Sequence, residues 1–413
     1  MAPADYDAIV VGARIAGSTT ALYLARRGYT VLLLDRDRFP SPTLSTHLFF
    51  TDTLDALREL GALEPVLAVD APRLRWLRFP YVAAPFPEHD GLDFALCIRR
   101  EVLDTILLDH AVAQPEITVK TGTGVTGLIW DDGRVAGVRY RARRGRAEGE
   151  ARARIVIGAD GRTSFVARAA GAAEYDPVPP LFAWYYAYMH DVPLDDPPSA
   201  AAFRGPFPEV GAEYSAAFIF PADGGLTLVG FGVEHAAFAR FRRSVRANFF
   251  AGLRSLPDAW ERVGQGRLAS RILGTGQLPN FFRTAWGPGW ALVGDAGCHK
   301  DPHTAQGMGD AVRSARLLAA ALDRWWRGEE SEAEALARYQ RERDADLRPM
   351  YDFTTFRLQA QVGDEIWERF NQLTWEDAEL ARRRVAAMTH ALHPAEVYAP
   401  EAVLRAVQAH STA

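Results

Sequence analysis

Cysteine and lysine are scarce in this chain, and no long uncharged apolar run occurs in it. Cys97 and Cys298 are the two cysteines among 413 residues. That excludes a disulfide framework, and neither lies in a CxxC pair. No stretch approaches the ~18 consecutive apolar residues that a spanning helix needs, so no membrane span is expected. The opening MAPADYDAIVV has no basic region before its short apolar run, so no signal peptide is expected. Together these absences point to a reducing, cytoplasmic setting. An excess of positive charge is missing too: 47 basic residues stand against 52 acidic ones, a net charge of −5. A nucleic-acid partner, which usually meets a basic domain, is therefore not expected. Just two basic residues are lysines, Lys120 and Lys300, and the rest are arginine. No metal site is expected, because Pro302 between His299 and His303 keeps that pair off a common helix face.

What remains is ordinary globular composition, with 48% hydrophobic and 24% charged residues. The length predicts two or three domains at about 150 residues each. Residues 6–11 (YDAIVV) and 30–35 (TVLLLD) read as buried parallel strands on either side of a helix over about 16–28. Further helices are expected near 51–60, 99–113, 236–254 and 306–327, and a helical tail over 331–410. Strands are expected within 76–98, antiparallel over 117–157 with a basic tip at 141–146, and again over 154–161. Residues 181–235 read as sheet with a hairpin at Asp223-Gly224-Gly225, and 290–295 as a buried strand. The expected fold is α/β. A Rossmann-type dinucleotide domain (1–75, 96–175 and 286–330) is interrupted by a mixed or antiparallel sheet domain (76–95 and 176–285). A helical C-terminal region (331–413) follows.

Three motifs carry the chemistry. In Gly12-Ala13-Arg14-Ile15-Ala16-Gly17, the first glycine suits the tight turn of a dinucleotide loop and the last suits close helix–strand packing. Arg14 replaces the usual middle glycine. It would either add a cation near a pyrophosphate or turn outward to solvent. Asp35 ends the second strand, 23 residues past Gly12, where a carboxylate can accept ribose hydroxyls. The middle motif is Gly158-Ala159-Asp160-Gly161. The late one is Gly294-Asp295-Ala296-Gly297 with Pro302, Thr304 and Ala305-Gln306-Gly307-Met308-Gly309 behind it.

In this order and spacing the motifs resemble those of the p-hydroxybenzoate-hydroxylase-like, or glutathione-reductase-type, FAD enzymes. These include single-component flavin monooxygenases, flavin-dependent halogenases and geranylgeranyl-reductase-like proteins. The resemblance covers about residues 1–330 and implies FAD. It places the ADP half against Gly12, Arg14, Ile15, Ala16, Gly17, Asp35 and Arg36, and the pyrophosphate near Asp160. The ribityl chain falls to Gly294 and Asp295. Arg100, with Leu103 and Asp104 behind it, fits a cofactor-touching arginine, and Arg99 is the near alternative. The run Pro302, Ala305, Gln306, Gly307, Met308 and Gly309 would bring a helix N-terminus to the flavin. Such a terminus contributes roughly 0.3–1 kcal/mol toward an anion when exposed and up to ~2 when partly buried. The chain departs from the hydroxylases at Cys298, Asp301, Thr304 and Gly309. The Trp-x-Trp-x-Ile-Pro signature of tryptophan halogenases is absent, and Trp325-Trp326 does not match it.

Candidate catalytic residues are His47, Lys300 and His303, on loops expected near the flavin, with His299 beside them. Histidine can carry protons near neutral pH. Lys300 is either a cation against the flavin or substrate, or a surface lysine. Cys298 is either near the flavin or a small buried residue. Trp184, Tyr185, Tyr186, His190, Tyr214 and Phe218 are the candidate substrate contacts, on a sheet that otherwise reads as ordinary core. The tail's aromatic stripes (Tyr351, Phe353, Phe356; Trp367, Phe370, Trp375) suit packing on the core, a homodimer contact, or, less well given their mixed charge, a membrane surface. The expected activity is an FAD-dependent monooxygenase using NAD(P)H and O2 on a small aromatic or polycyclic molecule. The alternatives are a reductase or dehydrogenase resembling the geranylgeranyl reductases, and a two-component enzyme such as a halogenase.

Overall fold

The computed structural model describes residues 4–143 and 148–410. Tyr6–Val11 is buried at its C-terminal end and lies at the centre of the first sheet. Parallel strands Val31–Leu34 and Ile117–Lys120 extend the sheet on one side, and Glu148–Gly158 and Trp290–Leu292 on the other. Val31–Leu34, Trp290–Leu292 and the C-terminal ends of Tyr6–Val11 and Glu148–Gly158 are buried, whereas the edge strand Ile117–Lys120 is partly exposed. Helices Ile15–Ala25, Arg100–Val112 and Gly307–Trp326 contribute to the cover.

Two expectations are corrected here. Ile117–Lys120 pairs parallel with Val31–Leu34 rather than antiparallel. It emerges from the helix Arg100–Val112, and a strand reached by such a crossover runs parallel. The rest of that segment is antiparallel: Thr123–Asp131 pairs with Arg134–Ala142, which pairs with the first half of Glu148–Gly158. The helix expected over 236–254 breaks into short turns and becomes regular over Val245–Arg254, after Ser244 adopts φ −146°. The basic tip at 141–146 lies in part outside the described residues.

The second sheet runs Arg267–Leu268, Phe182–His190, Thr227–Glu234, Ala212–Pro221, Ser199–Phe207, Trp76–Phe79 and Val82–Pro85. It is antiparallel except where Ser199–Phe207 meets Trp76–Phe79. Successive side chains in a strand point to opposite faces. Phe182, Trp184 and Tyr186 therefore join the core shared with the C-terminal helices, whereas Ala183, Tyr185 and Met189 pack into a core with Phe241 and Phe249.

The C-terminal region is helical, from Glu332–Thr354, which begins with a Ser331/Glu334 capping box, to Pro400–Ala409. Its aromatic stripes are largely used in packing: Tyr351, Phe353 and Phe370 are buried, and Trp375 is 58% exposed. The long helix Glu332–Thr354 also grips the first sheet. Tyr339 donates to the Leu292 carbonyl at 2.6 Å and Arg343 to that of Gly297 at 3.2 Å. No helix among the described residues is long and apolar enough to cross a membrane.

Candidate functional site

The glycine turn is built by close approach. Gly12 has φ +104°, and a Cβ there would lie 2.4 Å from the Ala159 carbonyl oxygen. A Cβ on Gly17 would lie 1.7 Å from the Gly12 oxygen. The helix Ile15–Ala25 starts with no side-chain cap and no acidic residue in its first turn. Its leading amides are therefore left for an outside acceptor, as at an anion-binding helix terminus. Asp35 is buried and accepts from the amides of Ala13 and Asp37, both at 2.7 Å, which ties the second strand to the turn. Arg36 stands outside this cluster with its side chain 81% exposed.

Arg14 does not turn outward to solvent. Its guanidinium reaches Asp104 at 3.0 Å, Ser41 Oγ at 3.1 Å and the Pro42 carbonyl at 3.2 Å. Asp104 also holds Arg100 at 2.9 Å, so one buried carboxylate fixes two arginines. Arg99 points elsewhere and is stapled to Asp223 of the hairpin at 2.8 Å. Asp160 flanks Gly12 through its backbone, while its carboxylate accepts from Ser164 Oγ and the Phe165 and Val166 amides. That carboxylate caps the following helix.

The late motif delivers a different situation. Asp295 is half-buried, and its carboxylate makes no hydrogen bond or ion pair among the described residues. It is thus open to a hydroxyl-bearing ligand. Gln306 at the head of the helix Gly307–Trp326 donates to the carbonyls of Thr304 and Met388, at 3.2 and 2.9 Å. A Cβ on Gly307 would meet nothing within 4 Å, so open space lies at that helix start, with buried Met308 behind it. Gly309 is otherwise: its Cβ would fall 2.3 Å from Asp52 Oδ2. Its lack of a side chain makes room for Asp52. An uncapped helix terminus at one end, the unpartnered Asp295 carboxylate and the space at Gly307 fit a long dinucleotide cofactor such as FAD.

The candidate catalytic residues separate. His47 is buried in a left-handed conformation between Tyr186 and Tyr188, with Nε2 2.8 Å from the Tyr188 hydroxyl. Burial, assisted by the nearby Arg100 cation, pulls its pKa down to about 3. It is neutral across the physiological range, which corrects its expected role as a proton carrier near pH 7. Lys300 is neither a surface lysine nor a free cation. It is buried and ion-paired to Asp310, which also binds Arg313, itself paired to Asp52 and Asp346. His299 is buried against Phe281, with Nδ1 bonded to the Pro279 carbonyl. Cys298 is a small buried residue whose thiol burial pushes up to about 12.

His303 lies on a cavity lined by aromatic rings. Phe182, Trp184, Tyr214, Phe218, Phe220 and Tyr81 form its walls, and Pro302, His303 and Ala305 form the side toward the late helix. Trp184, Tyr214 and Phe218 are thus brought together as expected contacts. Tyr186 lies beside them on the same sheet face, against His47. Tyr185 is a correction: it faces the opposite side and stacks on Phe241 at 4.9 Å. His190 is another. It ends its strand opposite Arg267 and is absent from the cavity lining. The residues missed were Phe79 and Tyr81, plus Asp301 as the partner of His303. Strand alternation could have separated Tyr185 from Trp184, and the Asp-x-His spacing could have flagged Asp301. Nothing local marks Phe79 or Tyr81, which tertiary pairing brings in.

Comparison with known proteins agrees with this geometry. A family model described as an FAD binding domain matches residues 5–204. A tryptophan 2-halogenase from Chondromyces crocatus is 27% identical over 357 residues, covering 82% of this chain and 65% of that protein. The chain therefore spans just under two thirds of that halogenase's length. A digeranylgeranylglycerophospholipid reductase from Methanocella arvoryzae is 26% identical over 364 residues, covering 83% of each chain. Among solved structures, the myxobacterial chondrochloren halogenase superposes with a TM-score of 0.75 at 25% identity, covering 85% of this chain and 82% of that one. The chain belongs to the glutathione-reductase-type, p-hydroxybenzoate-hydroxylase-like superfamily of FAD-dependent oxidoreductases.

Proposed function

We propose that the protein is an FAD-dependent monooxygenase that takes reducing equivalents from NAD(P)H and hydroxylates a small aromatic or polycyclic molecule with O2. The observation that carries this reading is the aromatic cavity closing on Pro302, His303 and Ala305, the segment that leads into the late helix. FAD, when bound, supplies the two-electron redox chemistry and the activation of oxygen. Gly12 through Gly17 and Asp35 would hold its adenosine and diphosphate half, and Asp295 its ribityl hydroxyls. The start of the late helix would hold its ring. The chain's own contribution is to orient the substrate ring against the cavity walls, to exclude water, and to hold charge near the cofactor with Arg100. Pockets of this kind are mostly apolar with a few polar anchors.

Tyr214, at the solvent edge of the cavity, is 36% exposed. That short, ring-walled space suits a flat molecule better than an extended chain. The apolar lining together with the similarity to a lipid reductase favours a second reading, reduction of an isoprenoid-like alkene.

The test has two steps. Purified holoprotein is mixed with NADPH without air, and bleaching of the visible flavin band is followed. Aromatic candidates are then supplied under air and products are read by mass. A product gaining one oxygen atom supports the reading. A gain of two hydrogens favours the reductase, and a gain of halogen, with reduction only by an added partner reductase, favours the two-component enzyme.

A further inference from the structure

We propose that Arg384, with the hydroxyls of Tyr81 and Tyr398, forms a buried binding site for one small monovalent anion. The site lies among the C-terminal helices and against the second sheet, apart from the segments given above to the cofactor.

Arg384 sits on the helix Ala378–Met388 and is 0% exposed. It pairs with no carboxylate among the described residues. Its Nη1 donates to Asn371 Oδ1 at 3.0 Å and to Thr374 Oγ1 at 2.5 Å, which uses both N–H groups of that nitrogen. Nε and Nη2, with three further N–H groups between them, are buried without a hydrogen-bond partner. Four rings surround the cation. Phe370 lies at 4.5 Å from the guanidinium carbon, Tyr81 at 5.4 Å, Tyr398 at 5.7 Å and Trp367 at 6.0 Å. A ring face attracts a cation but offers its N–H groups no lone pair. The hydroxyls of Tyr81 and Tyr398 are buried in the same cluster, and neither makes a hydrogen bond of regular geometry, although that of Tyr398 stands beside the guanidinium. Phe353 packs on both tyrosines, stacked on Tyr398 at 4.5 Å and edge-on to Tyr81 at 5.5 Å. Burial pushes both phenol pKa values up, so each keeps an O–H to donate.

Three N–H and two O–H donors around one positive charge define the complement. Buried polar groups are nearly always paired, and a buried charge without a counter-charge is among the costliest arrangements in a fold. A metal ion or an amine is repelled by the guanidinium. Water accepts two such bonds and leaves the charge uncompensated. A divalent anion leaves a net negative charge behind. A monovalent anion with several lone pairs, the size of a halide, nitrate or formate, answers both the charge and the donors. From the sheet side Arg204 and Tyr214 also act on Tyr81, and Arg204 is exposed, where solvent screens it. The anion joins the helix bearing Arg384 to the helix Ala395–Tyr398 and to the turn between Trp76–Phe79 and Val82–Pro85, where Tyr81 also edges the aromatic cavity. It fastens the C-terminal helices to the second sheet.

The test uses FAD-loaded protein and bromide, which can be titrated and also located by its anomalous X-ray scattering. Urea unfolding is followed by circular dichroism at constant ionic strength, with gluconate, too large for the site, replaced stepwise by bromide. Past half-saturation, the apparent unfolding constant of the native protein should fall about tenfold for each tenfold rise in bromide. Arg384→Met should lose this dependence, whatever bromide is held elsewhere. Tyr398→Phe should need more bromide to show it, and Arg383→Met, at an exposed position on the same helix, should keep it. Native protein indifferent to bromide, an unchanged dependence in Arg384→Met, or its loss in Arg383→Met overturns the site. Crystals of the native protein soaked in bromide decide the matter if Arg384→Met does not fold. An anomalous peak in contact with the Arg384 guanidinium and the two tyrosine hydroxyls supports the site, and an ordered water there, or bromide bound only elsewhere, overturns it.

Discussion

At the scale of single residues, burial decides which polar groups can do chemistry. His47 reads in sequence as a proton carrier because its loop lies near the cofactor. In the fold its ring is sealed between two tyrosines, with a pKa pulled down to about 3. The sign of its effect on stability follows. Below about pH 6.5 the unfolded chain takes up a proton that the folded ring refuses, so stability falls as the pH drops from 6.5 toward 3 and is fully present above 6.5. Between pH 7 and pH 5 this amounts to about 2 kcal/mol at ~1.4 kcal/mol per unit. His47→Gln should lose correspondingly less stability over that interval in urea unfolding, and an equal loss in both proteins would sink the assignment. Asp295 is the converse case, a half-buried carboxylate with no hydrogen-bond or ion-pair partner among the described residues. Asp295→Ala should purify folded by circular dichroism yet largely without flavin. Full retention of flavin would show that the ribityl contact lies elsewhere.

At the scale of elements, the sequence was most legible where a short segment carries its own reason. The glycine turn, the flanking apolar strands and the late helix depend on local sterics and periodicity. Partnership was less legible. The direction of Ile117–Lys120 depends on the crossover that precedes it, and the inward face of Phe182–His190 depends on which layer covers it. The same holds for charges. Lys300 stands out in a chain with two lysines, but its role is set by Asp310 and Arg313 across the fold. This network joins helix Gly307–Trp326 to helix Thr51–Glu59 through Asp52 and to helix Glu332–Thr354 through Asp346. Asp310→Ala leaves two buried cations short of a partner and should cost about 3–5 kcal/mol in urea unfolding. Lys300→Met combined with Asp310→Leu should recover much of that loss. A cost under about 1 kcal/mol for Asp310→Ala would mean that water already screens the network.

At the scale of the whole molecule, the C-terminal helices support the segment around the late motif. Tyr339 and Arg343 bind the carbonyls around the late motif, Met388 accepts from Gln306, and Thr354 meets Thr304 at 3.0 Å. None of these ties shows in the sequence, because each joins segments far apart in the chain. Flavin release and loss of helical ellipticity should therefore coincide in a thermal scan of the holoprotein. Flavin leaving well before the helices melt would show that the tail is energetically separate.

The burial of Lys300 also has a practical use. Of the chain's two side-chain amines, Lys120 lies at a half-buried strand end bonded to the Tyr140 hydroxyl, whereas the Lys300 amine is sealed inside, its side chain 3% exposed. An acylating reagent should modify Lys120 readily and reach Lys300 only when the interface around the late helix opens. The mass of one tryptic peptide would then serve as a clock for that opening, readable in a crude mixture and without any engineered label.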